Sequence, residues 1–147
     1  MSAAPATEKE LIVGVWKLVS VMYEDQETKV RTPIMGEHPR GYQIATRDGR
    51  WLALATPDGR EVPATDEQRA HAFRTMIAYS GRYRIEGNTI TTKVEVAWNE
   101  SWVGGDQVRV IRFEGDRLLI ESPPMPHPNM YGKTMRVIVV WQRDEAL

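Results

Sequence analysis

Cysteine is absent, phenylalanine occurs only twice and histidine three times, and the charges nearly cancel at 19 Lys and Arg against 20 Asp and Glu. Without cysteine there are no disulfides and no thiolate chemistry, which fits a reducing compartment. With no basic excess and no basic run longer than two residues, the chain carries no electrostatic footprint for nucleic acid. Apolar runs such as 11–13 and 137–141 fall far short of the roughly 20 residues that a membrane-spanning helix needs. Residues 1–7 lack the apolar core of a signal peptide, so a cytoplasmic protein with a frayed start is expected. The 147 residues suit one domain, since domains most often run to roughly 100–150 residues. Residues 1–10 read as a disordered or short helical tail and 11–147 as the folded domain.

What the chain does have is alternation. Short segments of period two, separated by turn residues, cover 14–23, 41–46, 51–55, 82–86, 89–98, 107–114, 118–122 and 134–143. Asp48-Gly49 between two such runs is a hairpin signal, because the turn needs a positive φ at low steric cost. In the first segment Trp16, Leu18, Ser20 and Met22 share one face. One long helix is expected over 66–80, with Thr65 and Gln68 as a capping box and Gly81 as its C-terminal cap. Its stripe of Ala70, Phe73, Met76 and Ile77 would dock on the barrel. About eight antiparallel strands in meander order remove their exposed edges by closing. The expected fold is therefore all-β: a closed antiparallel up-and-down barrel with one inserted amphipathic α-helix. Eight strands leave an interior filled by side chains or holding one small ligand.

At Gly14-Val15-Trp16 the sequence resembles the opening of the lipocalins and related calycin barrels. Gly41-Tyr42, Ala78-Tyr79-Ser80-Gly81-Arg82-Tyr83, Trp102-Val103-Gly104, Gln107-Val108-Arg109, Glu114-Gly115-Asp116-Arg117-Leu118, Pro123-Pro124 and Trp141-Gln142-Arg143 extend the likeness to nearly the whole chain. In this order they resemble the bacterial lipocalin-like domain family. The resemblance implies a closed barrel with an internal cavity, in a family whose relatives range from carriers to cofactor-free cyclases. Many members have His in the strand after the helix, where this chain reads Thr91-Thr92-Lys93.

Candidate site residues follow from phase. Arg109 alternates with Ile111 and Phe113, and Arg136 with Ile138 and Val140, so either guanidinium could project inward and meet a ligand carboxylate or enolate. Arg143 has a structural reading, closing over Trp16 at the barrel floor. Tyr42, Tyr83 and Trp98 sit in phase with apolar neighbours and combine a large apolar body with a polar tip. Met22 shares the Trp16 face, while His127 and Tyr131 lie in a proline-rich loop that would rim the mouth. The histidines make no paired ligand spacing, so no metal and no cofactor are expected. The expected function is binding of a small hydrophobic or aromatic molecule, anionic where an arginine meets it, by a monomer or homodimer. The alternative is a cofactor-independent cyclase, isomerase or dehydratase using the same cavity, with Glu95 or a His as base.

Overall fold

The computed structural model describes residues 7–126 and 133–144. In chain order these form α1 (Glu8–Leu11), β1 (Gly14–Asp25), β2 (Arg31–Pro33), β3 (Arg40–Ala45), β4 (Arg50–Thr56), α2 (Asp66–Arg74) and β5 (Ile77–Glu86). Then come β6 (Thr89–Ala97), a 3-10 turn (Glu100–Trp102), β7 (Asp106–Glu114), β8 (Arg117–Glu121), β9 (Met125–Pro126) and β10 (Thr134–Arg143). Eight of the strands run antiparallel in the order β1-β3-β4-β5-β6-β7-β8-β10, and β1 pairs with β10 to close the barrel. The seam runs from Trp16 opposite Arg143 to Asp25 opposite Met135. The short β2 and β9 add to β1 and β10 outside the ring. The closed antiparallel barrel expected from the alternating segments is the fold observed.

Two bulges set which side chains face in. In β1 the register against β10 shifts between Leu18 and Ser20. Trp16 and Leu18 point inward before the bulge, and Val21 and Tyr23 point inward after it, because one extra residue reverses the alternation. The second bulge lies between Ser80 and Gly81, where β5 meets β6. A Cβ on Gly81 would lie 1.8 Å from the Lys93 carbonyl oxygen, so the close approach of the two backbones requires glycine there. The Asp48-Gly49 hairpin joins β3 to β4 with Gly49 at φ 95°, as its sequence predicts.

One end of the barrel is plugged. Trp16 is 1% exposed and donates its indole N–H to the Ile12 carbonyl at 2.9 Å, tying β1 to the turn after α1. The Arg143 guanidinium sits 4.2 Å from the Trp16 ring centroid. It donates to the Val13 and Leu11 carbonyls at 3.1 and 2.5 Å, satisfying a helix end that would otherwise lack donors. Arg143 therefore takes the structural role.

The helix differs from expectation. The Thr65–Gln68 capping box is present, but α2 stops at Arg74 with Thr75 as its C-cap. None of its residues is buried, so the expected docked stripe is absent; Phe73 is half-exposed. Ile77 and Tyr79 belong instead to β5, paired with Ala55 and Ala53 of β4. Tertiary pairing overrides local helical periodicity here, and the ladder gains residues of high strand propensity. Gly81 accordingly serves a bulge and not a helix cap.

Candidate functional site

Above the plug the interior opens into a cavity of about 260 Å³. Its walls come from the inward positions of the strands: Val21 and Tyr23 on β1, Trp51 and Ala53 on β4, Ile77 and Tyr79 on β5. Gln107 and Arg109 on β7, Ile120 on β8, and Val137, Val139 and Trp141 on β10 continue it, with Ile34, Leu54, Ala55 and Trp102 also in the wall. Most of this lining is apolar or aromatic, and among the described residues its charged group is one guanidinium.

That guanidinium belongs to Arg109. It donates 2.6 Å to Gln107 Oε1 and 2.8 Å to the Val108 carbonyl, using two hydrogen bonds from a group with five N–H donors. No carboxylate forms an ion pair with it among the described residues. Burial pulls its pKa below the ordinary arginine value, and the neighbouring Tyr79 opposes that shift. Arginine nevertheless stays protonated in proteins. The cavity thus holds a partly desolvated positive charge with no negative partner among the described residues, an arrangement that costs free energy until an anion enters.

Tyr79 is the second polar group. Burial raises its pKa, with the Trp51 side chain and the Arg109 charge acting the other way. Its phenol is therefore a protonated donor at neutral pH. Its ring packs 5.4 Å from Trp102, and Trp102 packs edge-on 4.8 Å from Trp98. Trp98 donates its indole N–H to the Phe73 carbonyl at 3.0 Å, anchoring this aromatic chain to the end of α2. Burial likewise raises the Tyr23 pKa.

The candidates that strand phase and loop position nominate distribute unevenly over this geometry. Arg109 lines the cavity. Tyr83 faces inward as expected but lies nearer the plugged end, its hydroxyl donating 2.6 Å to the Thr46 carbonyl and its ring 6.0 Å from Trp51. Trp98 braces Trp102 and is not itself in the wall. Tyr42 is 48% exposed on the outer face, because Gln43 and Ala45 take the inward parity of β3. Met22 faces outward because the bulge in β1 reverses the phase set by Trp16. Arg136 also faces outward, since Val137, Val139 and Trp141 hold the inner positions of β10. His127 and Tyr131 lie outside the described residues. Glu95, the candidate base of the catalytic alternative, is half-exposed on the outer surface, paired with Arg50 at 3.3 Å and Arg82 at 4.0 Å.

Arg136 has a different task. It bridges Glu24 at 2.8 Å and Glu121 at 2.9 Å, and Arg31 also donates 3.0 Å to Glu24. Hydrogen bonds from Arg31, and then Arg136, hold the Glu24 carboxyl below its ordinary value despite opposing burial. A depressed carboxyl pKa gives stability that is present above the ordinary carboxylate range and lost as the pH falls through the folded-state value. Wild-type melting temperature is therefore expected to drop on acidification below about pH 4.5, and Glu24→Gln to flatten that slope. Identical acid slopes in thermal melts of the two proteins would remove Glu24 from the linkage.

Several wall residues escape a reading by sequence. Tyr23, Trp51, Tyr79, Gln107, Val137, Val139 and Trp141 are not among the candidates that strand phase nominates. In β10 both parities are apolar, so alternation gives no side; only the β1 pairing, once its bulge is known, selects 137, 139 and 141.

A family model described as a lipocalin-like domain matches residues 13–144. A 4'-hydroxy-3'-methoxypropiophenone carrier protein of Aspergillus oryzae is 31% identical over 96 residues, covering 58% of this chain and 84% of that protein. An uncharacterized protein from Bacteroides eggerthii, of known crystal structure, aligns with a TM-score of 0.44 at 11% identity, over 90% of this chain and 99% of that one.

Proposed function

The chain belongs to the lipocalin-like domain family, and on that premise we propose that it binds a small aromatic molecule carrying an anionic oxygen inside the barrel. The observation that carries this reading is Arg109: a guanidinium in an otherwise largely apolar wall, without an acidic partner among the described residues. An incoming carboxylate or phenolate would supply the missing charge, with the protonated Tyr79 hydroxyl beside it as a further donor. The aromatic rings of Trp51, Tyr79, Trp102 and Trp141 suit a planar guest. At about 260 Å³ the cavity falls just below the roughly 300–1,000 Å³ of sites for drug-sized ligands, which limits the guest to about one ring with short substituents. The relative from Aspergillus oryzae is named as a carrier of a molecule of that size, a hydroxylated and methoxylated phenyl ketone.

The binding reading is favoured over the catalytic one by the lining itself. Among the described residues no Asp, Glu or His lines the cavity, and Tyr79 is shifted away from the pKa a general base needs near neutral pH. Fluorescence titration with 4-ethylbenzoate and 4-ethylbenzyl alcohol tests the proposal. The anion is expected to bind about tenfold or more tightly than the neutral alcohol, since charge-assisted hydrogen bonds are roughly twice as strong as neutral ones. Equal affinities, or no binding of either, would reject it.

A further inference from the structure

A closed barrel meets water through the outward side chains of its strands, and in an antiparallel sheet with one solvated face those are ordinarily polar. On one sector of this barrel they are not. Strand β4 alternates the buried Trp51, Ala53 and Ala55 with the exposed Leu52 and Leu54. Across the ladder, Leu52 stands opposite Ile44 of β3 and Leu54 opposite Tyr42. Ile44 in turn stands opposite Val15 of β1. On the other side Leu52 and Leu54 stand opposite Ser80 and Ala78 of β5, and Ser80 opposite Val96 of β6. Val15, Tyr42, Ile44, Leu52, Leu54 and Val96 are 37–65% exposed, and no charged residue occupies a ladder position between them. Charge returns at the border, with Lys17 opposite Tyr42 and with the cluster of Arg50, Arg82 and Glu95.

Size, charge and relief together say what covers this face. Six large apolar side chains exposed to that degree present on the order of 500 Å². A standard interface buries about 800 Å² per partner and a homodimer interface is about 65% apolar, so the apolar share it needs is of the same size. In a two-fold contact the patch meets itself, so a charged centre would repel its own copy and an uncharged one does not. The relief is self-complementary as well. Leu52 and Leu54 make a ridge along β4, while the small Ala78 and Ser80 leave the adjoining β5 low. A depression of about 300 Å³ opens where Ile44, Leu52, Ser80 and Gly81 meet. Two copies related by an axis between β4 and β5 would each set this ridge into the other's trough. We propose that the outer face of β3–β6 is the interface of a homodimer, its occupant a second copy of the same chain. The interface does not depend on the anion-binding reading of Arg109, a residue of β7 that faces the interior.

Sedimentation velocity across about 1–100 µM protein is the test. At the upper end the wild type is expected to sediment as a species of twice the 16.8 kDa chain mass. Leu52→Glu puts two carboxylates into the middle of the contact and is expected to raise the dimer dissociation constant about 100-fold or more. Val96→Glu, on another strand and at the most exposed of the six positions, is expected to act in the same direction, and it decides the matter should Leu52→Glu not fold. Near-UV circular dichroism of the tryptophans checks that each variant keeps the barrel. Val62→Glu places the same charge on a 92% exposed residue of the loop between β4 and α2, off the face, and is expected to dimerise as the wild type does. A wild type that stays monomeric throughout overturns the proposal, and one that instead floats with phosphatidylcholine vesicles would give the face to a membrane. A dimer that both folded variants of the face retain, or that Val62→Glu dissociates equally, overturns it too.

Discussion

Trp16→Ala is expected to lower the stability of the fold by about 3–5 kcal/mol, the range for large aromatic truncations in a packed core. Three separate contributions converge on this residue. The ring is 1% exposed at the plugged end, so truncation leaves a hole that the surrounding strands cannot collapse into. Its N–H is the donor to the Ile12 carbonyl, which links α1 to the barrel and would be left unpaired. Its face is also the surface on which the Arg143 guanidinium rests, 4.2 Å from the centroid. Arg143 holds the Leu11 and Val13 carbonyls, so loss of the platform loosens the closure of β1 on β10 as well as the core. Chemical denaturation is the measurement. A loss below about 1 kcal/mol would mean that Trp16 is an ordinary wall residue and that another group closes the barrel.

How far the sequence reveals this arrangement depends on what each inference needs to know. Strand number, order and closure come from alternation and from turn residues such as Asp48-Gly49, which act within a few residues of one another. Sidedness is different, because it depends on features that leave no local mark. The β1 bulge between Leu18 and Ser20 makes Met22 an outward residue although it is three steps of two from Trp16, and nothing in Ser20 announces it. In β10 both parities are apolar, since Ile138, at 0% exposure, and Val140 point away from the cavity while Val137 and Val139 face it. Arg136 consequently looks like Arg109 in one dimension and is its opposite in three, paired with two carboxylates where Arg109 has none among the described residues. In β7 too both parities are apolar, since Val108 and Val110 alternate against Ile111 and Phe113, so the sequence leaves the side of Arg109 open and the pairing with β6 and β8 decides it. The helix fails for a related reason: residues 75–80 have helical spacing of apolar groups, but β4 offers Ile77 and Tyr79 a longer-range ladder.

Arg109→Met is expected to separate function from stability in opposite directions. Methionine follows the aliphatic stem of arginine and fills similar space without the charge. In the ligand-free protein the guanidinium is partly desolvated, and its partners are the Gln107 amide oxygen and a backbone carbonyl. Removing such a charge and leaving an apolar group is often neutral or stabilising by about 1–4 kcal/mol where buried ion groups have been replaced, so an unchanged or higher melting temperature is expected here. Affinity for 4-ethylbenzoate should fall about 10- to 100-fold, the loss of charge-assisted hydrogen bonds worth roughly 1.5–3 kcal/mol. Affinity for 4-ethylbenzyl alcohol should change far less, because it has no charge to lose. Arg109→Lys keeps the charge but not the planar fork, and an affinity between those of wild type and Arg109→Met is expected. A structural arginine would give the reverse result. If Arg109→Met unfolds the barrel at much lower temperature while the folded fraction still binds 4-ethylbenzoate as tightly as wild type, the guanidinium serves the wall through Gln107 and Val108 and the cavity has no anion site.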